Sequence, residues 1–186
     1  AVTTLSPLAF DGTAGQTLPL QVTIFGDLTV EATETFTVTL GEAVPVAPVQ
    51  AASIVTGAVG TGTILNDDAA EFYVERNINV SEGGTAQFRV VLSNPVDVPT
   101  SVIVSTRDGT ATTADSDYTP LAPGVVVFAA GQTSQTFDVH TTPDAKVELD
   151  ETFDLFLTGL NDGGRAVTIS PTKDFATAKI LNNDAA

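Results

Sequence analysis

Acidic side chains stand at the turns beside apolar runs, and they come from five separate segments of the chain: Glu82, Asp108, Asp117, Asp144 with Glu148 and Glu151, and Asp184. Calcium takes about six to eight hard oxygen ligands, and carboxylates supplemented by main-chain carbonyls suit it well. Carboxylates held within a few ångströms of one another repel by roughly 1 kcal/mol or more per pair unless a cation lies between them. Because strand ends and turns converge at one pole of a β-sandwich, these residues predict a calcium site there.

The densest acidic block occurs twice, so the chain contains an internal repeat. The first copy runs from Asp27 to Phe36 (DLTVEATETF) and the second from Asp144 to Phe153 (DAKVELDETF), with six identities in ten positions. A further block reads ILNDDAA at residues 64–70 and ILNNDAA at residues 180–186. The repeat period is about 116 residues, which is the size of a domain rather than of a solenoid unit.

The two copies of the repeat differ in completeness. Residues 71–186 hold a whole unit, whereas residues 1–70 match only its latter part and lack the opening strands. The predicted domains are therefore a partial repeat over residues 1–70 and a complete repeat over residues 71–186.

Short runs of alternating apolar and polar residues, broken by Gly, Pro, Asn and Asp, are typical of β-strands. One such run places Ala86, Phe88, Val90 and Leu92 on a single face. About seven strands are predicted in the complete repeat, near residues 71–75, 85–93, 100–107, 124–129, 133–141, 151–159 and 175–181. No window has a helical period, so the predicted fold class is all-β, an immunoglobulin-like antiparallel β-sandwich preceded by the carboxyl-terminal half of another.

Four motifs in a fixed order resemble the Calx-β domain family. They are Val80-Ser-Glu-Gly-Gly-Thr85, then Asp108-Gly-Thr-Ala111 with Ser116-Asp-Tyr118, then the D-x-x-x-E-x-x-E-T-F block, and finally Ile-Leu-Asn-Asn/Asp-Asp. The resemblance covers all of the second repeat and the latter half of the first. It implies that calcium ligands gather at one pole of the sandwich, beside the linker to the next module.

Carried over position by position, the resemblance implies the ligand set Glu82, Asp108, Asp144, Glu148, Glu151 and Asp184, with a main-chain carbonyl near Lys146 as an addition. The matching acids of the first repeat could complete only part of a site, with partners upstream or in another chain: Asp27, Glu31, Glu34, Asp67 and Asp68. Asp117 has an alternative role, because its pair with Tyr118 can hold a turn. Family members often have three acids where this chain has Asn182, Asn183 and Asp184, so one or two ions are expected rather than four.

Composition restricts the partners of the chain. Seven Lys and Arg against 23 Asp and Glu give a formal charge of −16, which repels nucleic acids and anionic lipids and favours cations. There is no Cys, which excludes disulfides, thiolate metal sites and a cysteine nucleophile. No apolar segment is long enough to span a membrane, and the first residues lack the features of a signal peptide, so we expect a mature or excised part of a longer protein.

Catalysis is not predicted. His140 is the only histidine and is expected to point outward from a strand. The sequence has no Gly-x-Ser-x-Gly, His-Glu-x-x-His or phosphate-binding glycine loop. Glu148 and Glu151 could imitate a glycosidase pair, but the chain has no Trp and only two Tyr to support a sugar ring. The Asn79-Val-Ser81 sequon is too short a pattern to carry a conclusion.

Three functions follow from this pattern. The first is a calcium-binding structural or adhesive module of a secreted or cell-surface protein, in which calcium stiffens the joints between repeats; its partners are neighbouring repeats, copies of itself, or a surface or matrix ligand. The second is a filament subunit whose incomplete first sandwich is completed by a neighbour's strands. The third, implied by the resemblance because some resembling domains have this role, is a regulatory calcium sensor of a membrane transporter, which the lack of acidic triplets and of cysteine disfavours.

Overall fold

A computed structural model of the chain describes residues 7–45, 56–75 and 77–185. The described residues form eleven strands and no helix, and thus no helix able to cross a membrane. The strands are β1 Glu34–Thr39, β2 Val59–Ile64, β3 Ala70–Glu75, β4 Ile78–Ser81, β5 Thr85–Leu92, β6 Thr100–Asp108, β7 Gly124–Phe128, β8 Ser134–His140, β9 Glu151–Asn161, β10 Val167–Ile169 and β11 Phe175–Leu181.

The complete repeat is a sandwich of two sheets, which confirms the predicted fold class. One sheet has the strand order β10-β3-β5-β8 and the other β4-β11-β9-β6-β7. The alternation that predicted β5 also sets its packing, since Ala86, Phe88 and Val90 are fully buried between the sheets. Phe153 on β9 meets this layer, with its ring edge-on to Phe88 and stacked 4.2 Å from the ring of Tyr118.

Two strands of the complete repeat were absent from the sequence prediction. They are β4, which pairs in parallel with β11, and β10, which pairs in parallel with β3. Both are short, with four and three residues, and neither has enough alternating positions to be separated from a turn. The sandwich is therefore mainly antiparallel, with a parallel strand at one edge of each sheet.

The described part of the first repeat is an open hairpin. Its strands β1 and β2 pair antiparallel, with Glu34 opposite Ile64, just as Glu151 lies opposite Ile180 in the pair formed by β9 and β11. In the complete repeat β6 and β4 flank this pair, whereas among the described residues β1 and β2 pair only with each other. Leu40, which corresponds to the buried Leu157, is 53% exposed, because no second sheet covers it among the described residues.

The hairpin unit touches the complete repeat through Val30, which is fully buried and forms a parallel bridge with Val96. The Val30 amide donates to the carbonyl of Pro95 over 2.8 Å, and its carbonyl accepts from the Asp97 amide over 3.1 Å. We call this contact the joint. The Arg165 guanidinium holds the Asp97 carboxylate beside it with contacts of 2.6 and 2.8 Å.

Candidate metal centre

Three segments meet at the end of the complete repeat opposite to the joint, here called the distal pole. They are the turn at residues 82–84, the loop at residues 141–150 and the tail at residues 182–184. The Glu82 amide donates to the carbonyl of Leu181, and the Asn183 side chain donates to the carbonyl of Glu82. The Glu148 amide donates to the side-chain oxygen of Asn182 over 3.4 Å. These bonds fix the loop and the turn against the end of β11.

Glycine makes the turn at residues 82–84 possible. Gly83 has a φ of 75°, a left-handed conformation that costs a residue with a side chain more than it costs glycine. A Cβ on this residue would also lie 3.1 Å from the Cβ of Pro143, in the neighbouring loop. The absence of a side chain at this position therefore lets the turn and the loop approach closely enough for Glu82 to reach Asp144.

Carboxylates from these segments, together with Asp117 from the loop after β6 and Glu151 at the start of β9, form two groups, in each of which one oxygen per residue lies within 4.8 Å of the others. The first group is Glu82, Asp144 and Glu148, and the second is Asp117, Glu148 and Glu151. Glu148 belongs to both groups, so the two potential ion positions are adjacent. The side chain of Glu148 is 33% exposed, which leaves the centre accessible to an ion from solvent.

The pKa values of two carboxylates at the pole are shifted by this crowding. Partial burial, with added repulsion from Asp144 and Asp184, raises the pKa of Glu82. Partial burial and the neighbouring Asp117 and Glu148 likewise raise the pKa of Glu151. Both carboxylates are therefore less stable in their charged forms than in water, which is the condition that a bound cation relieves.

Two buried oxygen atoms at the pole have no hydrogen-bond partner among the described residues. They are Oε2 of Glu82 and Oδ2 of Asp184. A buried, unpaired carboxylate oxygen is costly, because it has lost water without gaining a donor. Both atoms therefore fit the role of metal ligands.

Lys146 already places one cation at this site. Its ammonium lies 3.4 Å from the Asp144 carboxylate and 3.5 Å from that of Glu148, and these two acids raise its pKa. The pKa of Asp144 is lowered, chiefly by the amide of Lys146, which donates to it over 2.7 Å. An ammonium thus offsets part of the repulsion in the first group.

The structure distributes the predicted ligands of the complete repeat unevenly. Five of the six lie at the distal pole: Glu82, Asp144, Glu148, Glu151 and Asp184. Asp108 lies outside both groups, and its carboxylate instead accepts from the Tyr118 hydroxyl over 2.6 Å and from the Thr113 amide over 3.2 Å. Asp117, which the sequence left with two roles, joins the second group while also accepting from the Thr112 amide over 2.7 Å.

Asp117 owes its position to an unusual backbone. The preceding Ser116 has a φ of 70°, in the left-handed region that residues with a side chain seldom adopt. The Asp117 carbonyl also accepts from the Thr142 amide, which ties its loop to the loop at residues 141–150. Neither feature is visible in the sequence, although the Ser116-Asp-Tyr118 motif marks the correct loop.

The predicted acids of the first repeat lie at the equivalent pole, beside the joint. Burial, followed by repulsion from Asp27, Glu34, Asp97 and Asp68, raises the pKa of Glu31. None of these acids, Asp67 included, belongs to a close group of three in the described part of the chain. The site expected to be partial is thus spread out, and the neighbouring repeat adds an acid, Asp97, which the sequence did not predict.

The donor set of the distal pole fits calcium. Every candidate side chain offers carboxylate oxygen, and six such residues come from four segments: Glu82, Asp117, Asp144, Glu148, Glu151 and Asp184. Hard oxygen ligands of this number suit calcium, whereas zinc prefers nitrogen and sulfur in a tetrahedron. A β-sandwich with an acidic pole of this kind defines a class of cation-binding β-modules.

The Calx-beta domain family model matches the chain twice, over residues 3–68 and residues 65–184. The chain therefore belongs to the Calx-beta domain family. The division between residues 70 and 71 stays a prediction.

Solved structures agree with this assignment. The apo-form Calx CBD1 domain is 29% identical with a TM-score of 0.56, and the match covers 63% of this chain and 100% of that one. The calcium binding domain CBD12 of CALX1.1 is 30% identical with a TM-score of 0.55, covering 62% of this chain and 47% of that one. The Calx CBD2 domain, at 14% identity and a TM-score of 0.52, supports the fold alone.

Proposed function

We propose that this chain is a calcium-binding structural module of a secreted or cell-surface protein, with its principal calcium centre at the distal pole of the complete repeat. The observation that carries the proposal is the pair of acidic groups that share Glu148. The buried, unpartnered oxygens of Glu82 and Asp184 support it independently. The similarity to a calcium binding domain, CBD12 of CALX1.1, points in the same direction.

Calcium explains why so many carboxylates coexist at one pole. Lys146 offsets only Asp144 and Glu148, and it leaves the repulsion around Glu151 and Asp117 in place. A divalent ion near Glu148 would contact both groups at once and remove that repulsion. Because calcium would bind the folded chain only, it would stabilise the fold by mass action.

The structural role follows from where the poles lie. The equivalent pole of the first repeat, with Asp27, Glu31 and Asp68, adjoins the start of the complete repeat. Calcium bound at this pole would hold the two repeats in one orientation. An array of such modules would serve as a stiff spacer or an adhesive stalk.

Calorimetric titration of the full chain with calcium tests the centre. We expect binding of one or two ions at the distal pole, weakened by at least about tenfold in Glu148→Gln because both groups lose a charged ligand. Glu75→Gln is the matched control, since Glu75 pairs with Arg89 on β5 and belongs to neither group. Equal affinities for the wild type and Glu148→Gln would refute the centre.

Small-angle scattering tests the spacer role separately. The full chain is measured in millimolar calcium and in chelator, and we expect a narrower distribution of particle lengths in calcium. Identical profiles, together with calorimetric proof that calcium binds, would leave a calcium-binding module without a stiffening function.

A filament subunit is the second candidate, and the open hairpin favours it. The outer edges of β1 and β2 have no strand partner among the described residues, and Leu20, Val22 and Ile24, in the segment that precedes β1, are exposed. These three residues alternate as strand residues do, so a neighbour's strand could pair with them. Electron microscopy of the purified chain decides this, because monodisperse monomers exclude assembly.

A further inference from the structure

The chain contains two versions of the same pole, with the same local hydrogen bonds. In the first repeat the Thr29 amide donates to Asp27, the Glu31 amide to the Asn66 side chain, and the Asn66 side chain to the Asp68 carbonyl. In the complete repeat three matching bonds join the corresponding pairs: Lys146 with Asp144, Glu148 with Asn182, and Asn182 with Asp184. The segment that carries Val147 is therefore shaped like the segment that carries Val30.

The two poles differ in what covers them. Val30 is fully buried in the joint, and its amide and carbonyl bond to Pro95 and Asp97 of the following repeat. Val147, which occupies the same place in the complete repeat, is 57% exposed. In the described part of the chain the main chain of Val147 makes no bond of the kind that Val30 makes.

We propose that the segment Lys146–Glu148 is a docking site for the starting end of another Calx-beta repeat. The partner presents an extended loop like that at residues 95–97. A free carbonyl of this loop accepts from the Val147 amide, and a free amide of the loop donates to the Val147 carbonyl. The partner also presents a cation placed as Arg165 is, paired with the Asp97 of its own loop. The site fits that partner because the molecule already contains the same contact, fully formed, at Val30.

An intact second copy of the chain does not meet this requirement. Its loop at residues 95–97 is already covered by its own Val30, so docking in trans would first have to break an existing joint. The partner is thus a repeat whose loop is free. The contact itself consists of main-chain bonds and a buried valine, so it goes beyond the calcium proposal and does not depend on it.

A tandem chain tests the docking site. A second copy of residues 71–186 is joined directly after Ala186 of the full chain, which reproduces the spacing from Asn66 to Glu71 at the new junction. Amide hydrogen exchange is followed at Val147 in chelator, with Val30 of the same molecule as the internal standard. We expect the Val147 amide to exchange at least about tenfold more slowly in the tandem than in the unextended chain.

Variants of the tandem show whether the protection comes from docking. Val147→Asp is expected to remove protection of the Asp97 amide in the appended copy while the joint at Val30 stays protected. Val125→Asp is the control, because Val125 is a 67% exposed valine on β7 outside the pole. A Val147 amide that exchanges equally fast with and without the appended repeat would overturn the proposal.

Two further outcomes are informative. Concentration-dependent protection of Val147 in the unextended chain would identify a second copy as the occupant and overturn the partner chosen here. Protection that arises only in calcium would overturn the claim that the contact forms by main-chain bonding alone. Normal protection in a tandem that fails to bind calcium would support docking and refute the calcium centre, so the two proposals are separable.

Discussion

Glu148 is the central residue of the acidic pole, since it belongs to both carboxylate groups and its amide donates to the side chain of Asn182. The acids around Glu148 differ in the charges that lie near them. Asp144 has the Lys146 ammonium nearby, whereas the charges that act on Glu151 are those of the acids Asp117, Glu148 and Asp115. A residue-level account of the site therefore has to treat the two groups separately.

Removing the lysine cation should strengthen calcium binding. Lys146 lies within 3.5 Å of two acids that would also ligate the ion, so its ammonium competes with calcium for the first group. We expect Lys146→Met to raise calcium affinity by about twofold to fivefold, the range for exposed ion pairs. Calorimetry measures this change, with Lys173→Met as control because Lys173 lies over Tyr73 on β3. Weaker binding in Lys146→Met would show that the lysine orders the site instead.

The raised pKa of Glu151 makes a prediction about pH. Its native-state pKa lies above the ordinary value of 4.5, so the folded chain binds this proton more tightly than the unfolded chain does. Glu151 therefore destabilises the calcium-free fold above its raised pKa, and this effect vanishes as the pH falls below about 4.5. We expect Glu151→Gln to raise Tm in chelator at pH 7 by on the order of 2 °C, with no gain at pH 4.

Thermal melts of both proteins at pH 4 and pH 7 measure this difference. Asp138→Asn provides the control, because Asp138 lies on β8 and bonds to Gln87 there. A gain of equal size at both pH values would indicate a packing effect rather than charge repulsion.

At this scale the sequence predicted which segments bring acids to the distal pole, because acids at turns lie at the ends of strands whatever the packing of the core. It did not predict that Asp108 would be engaged by Tyr118 while Asp117 faces the centre. That exchange depends on the left-handed Ser116 and on a stacked ring pair, which are set by tertiary contacts.

Two antiparallel strand pairs of the same sequence type lie in different environments, and the difference concerns the neighbouring strands rather than the residues. Strands β9 and β11 are flanked on both edges and covered by the opposite sheet, whereas β1 and β2 form a sheet of two strands. The alternating pattern predicted β9 and β11, because it reports which face is apolar. It could not report β4 and β10, since their short parallel pairs depend on long-range contacts.

Equivalent phenylalanines should therefore differ in importance. Phe153 is fully buried between the sheets, while Phe36 is only partly buried and packs over Gly62 on the neighbouring strand. We expect Phe153→Ala to lower the free energy of unfolding by about 3–5 kcal/mol and Phe36→Ala to lower it by about 1 kcal/mol or less. Urea unfolding followed by far-ultraviolet circular dichroism suits this comparison, because strands of both repeats contribute to the signal. Equal losses would mean that the hairpin has a cover in solution.

The molecule as a whole carries a charge of −16 and concentrates part of it where repeats meet. The Asp97 charge acts on Glu31 across the joint, and Arg165 is the cation that pairs with Asp97 there. Its side chain is only 17% exposed, so its pairing with Asp97 is less screened by water than an ordinary surface ion pair. The orientation of the repeats thus depends on one arginine as well as on Val30.

Replacing this arginine should loosen the joint without unfolding either part. In Arg165→Met the Asp97 carboxylate loses both of its short contacts and is left beside Glu31, so the main-chain bonds of Val30 form against repulsion. We expect the Asp97 amide, which donates to the Val30 carbonyl, to exchange about tenfold faster in chelator. Arg89→Met is the matched control, because Arg89 pairs with Glu75 within one sheet, away from the joint. If the exchange rate stays unchanged, the valine contact alone holds the repeats together; if it rises and calcium reverses the rise, the ion replaces the arginine at the joint.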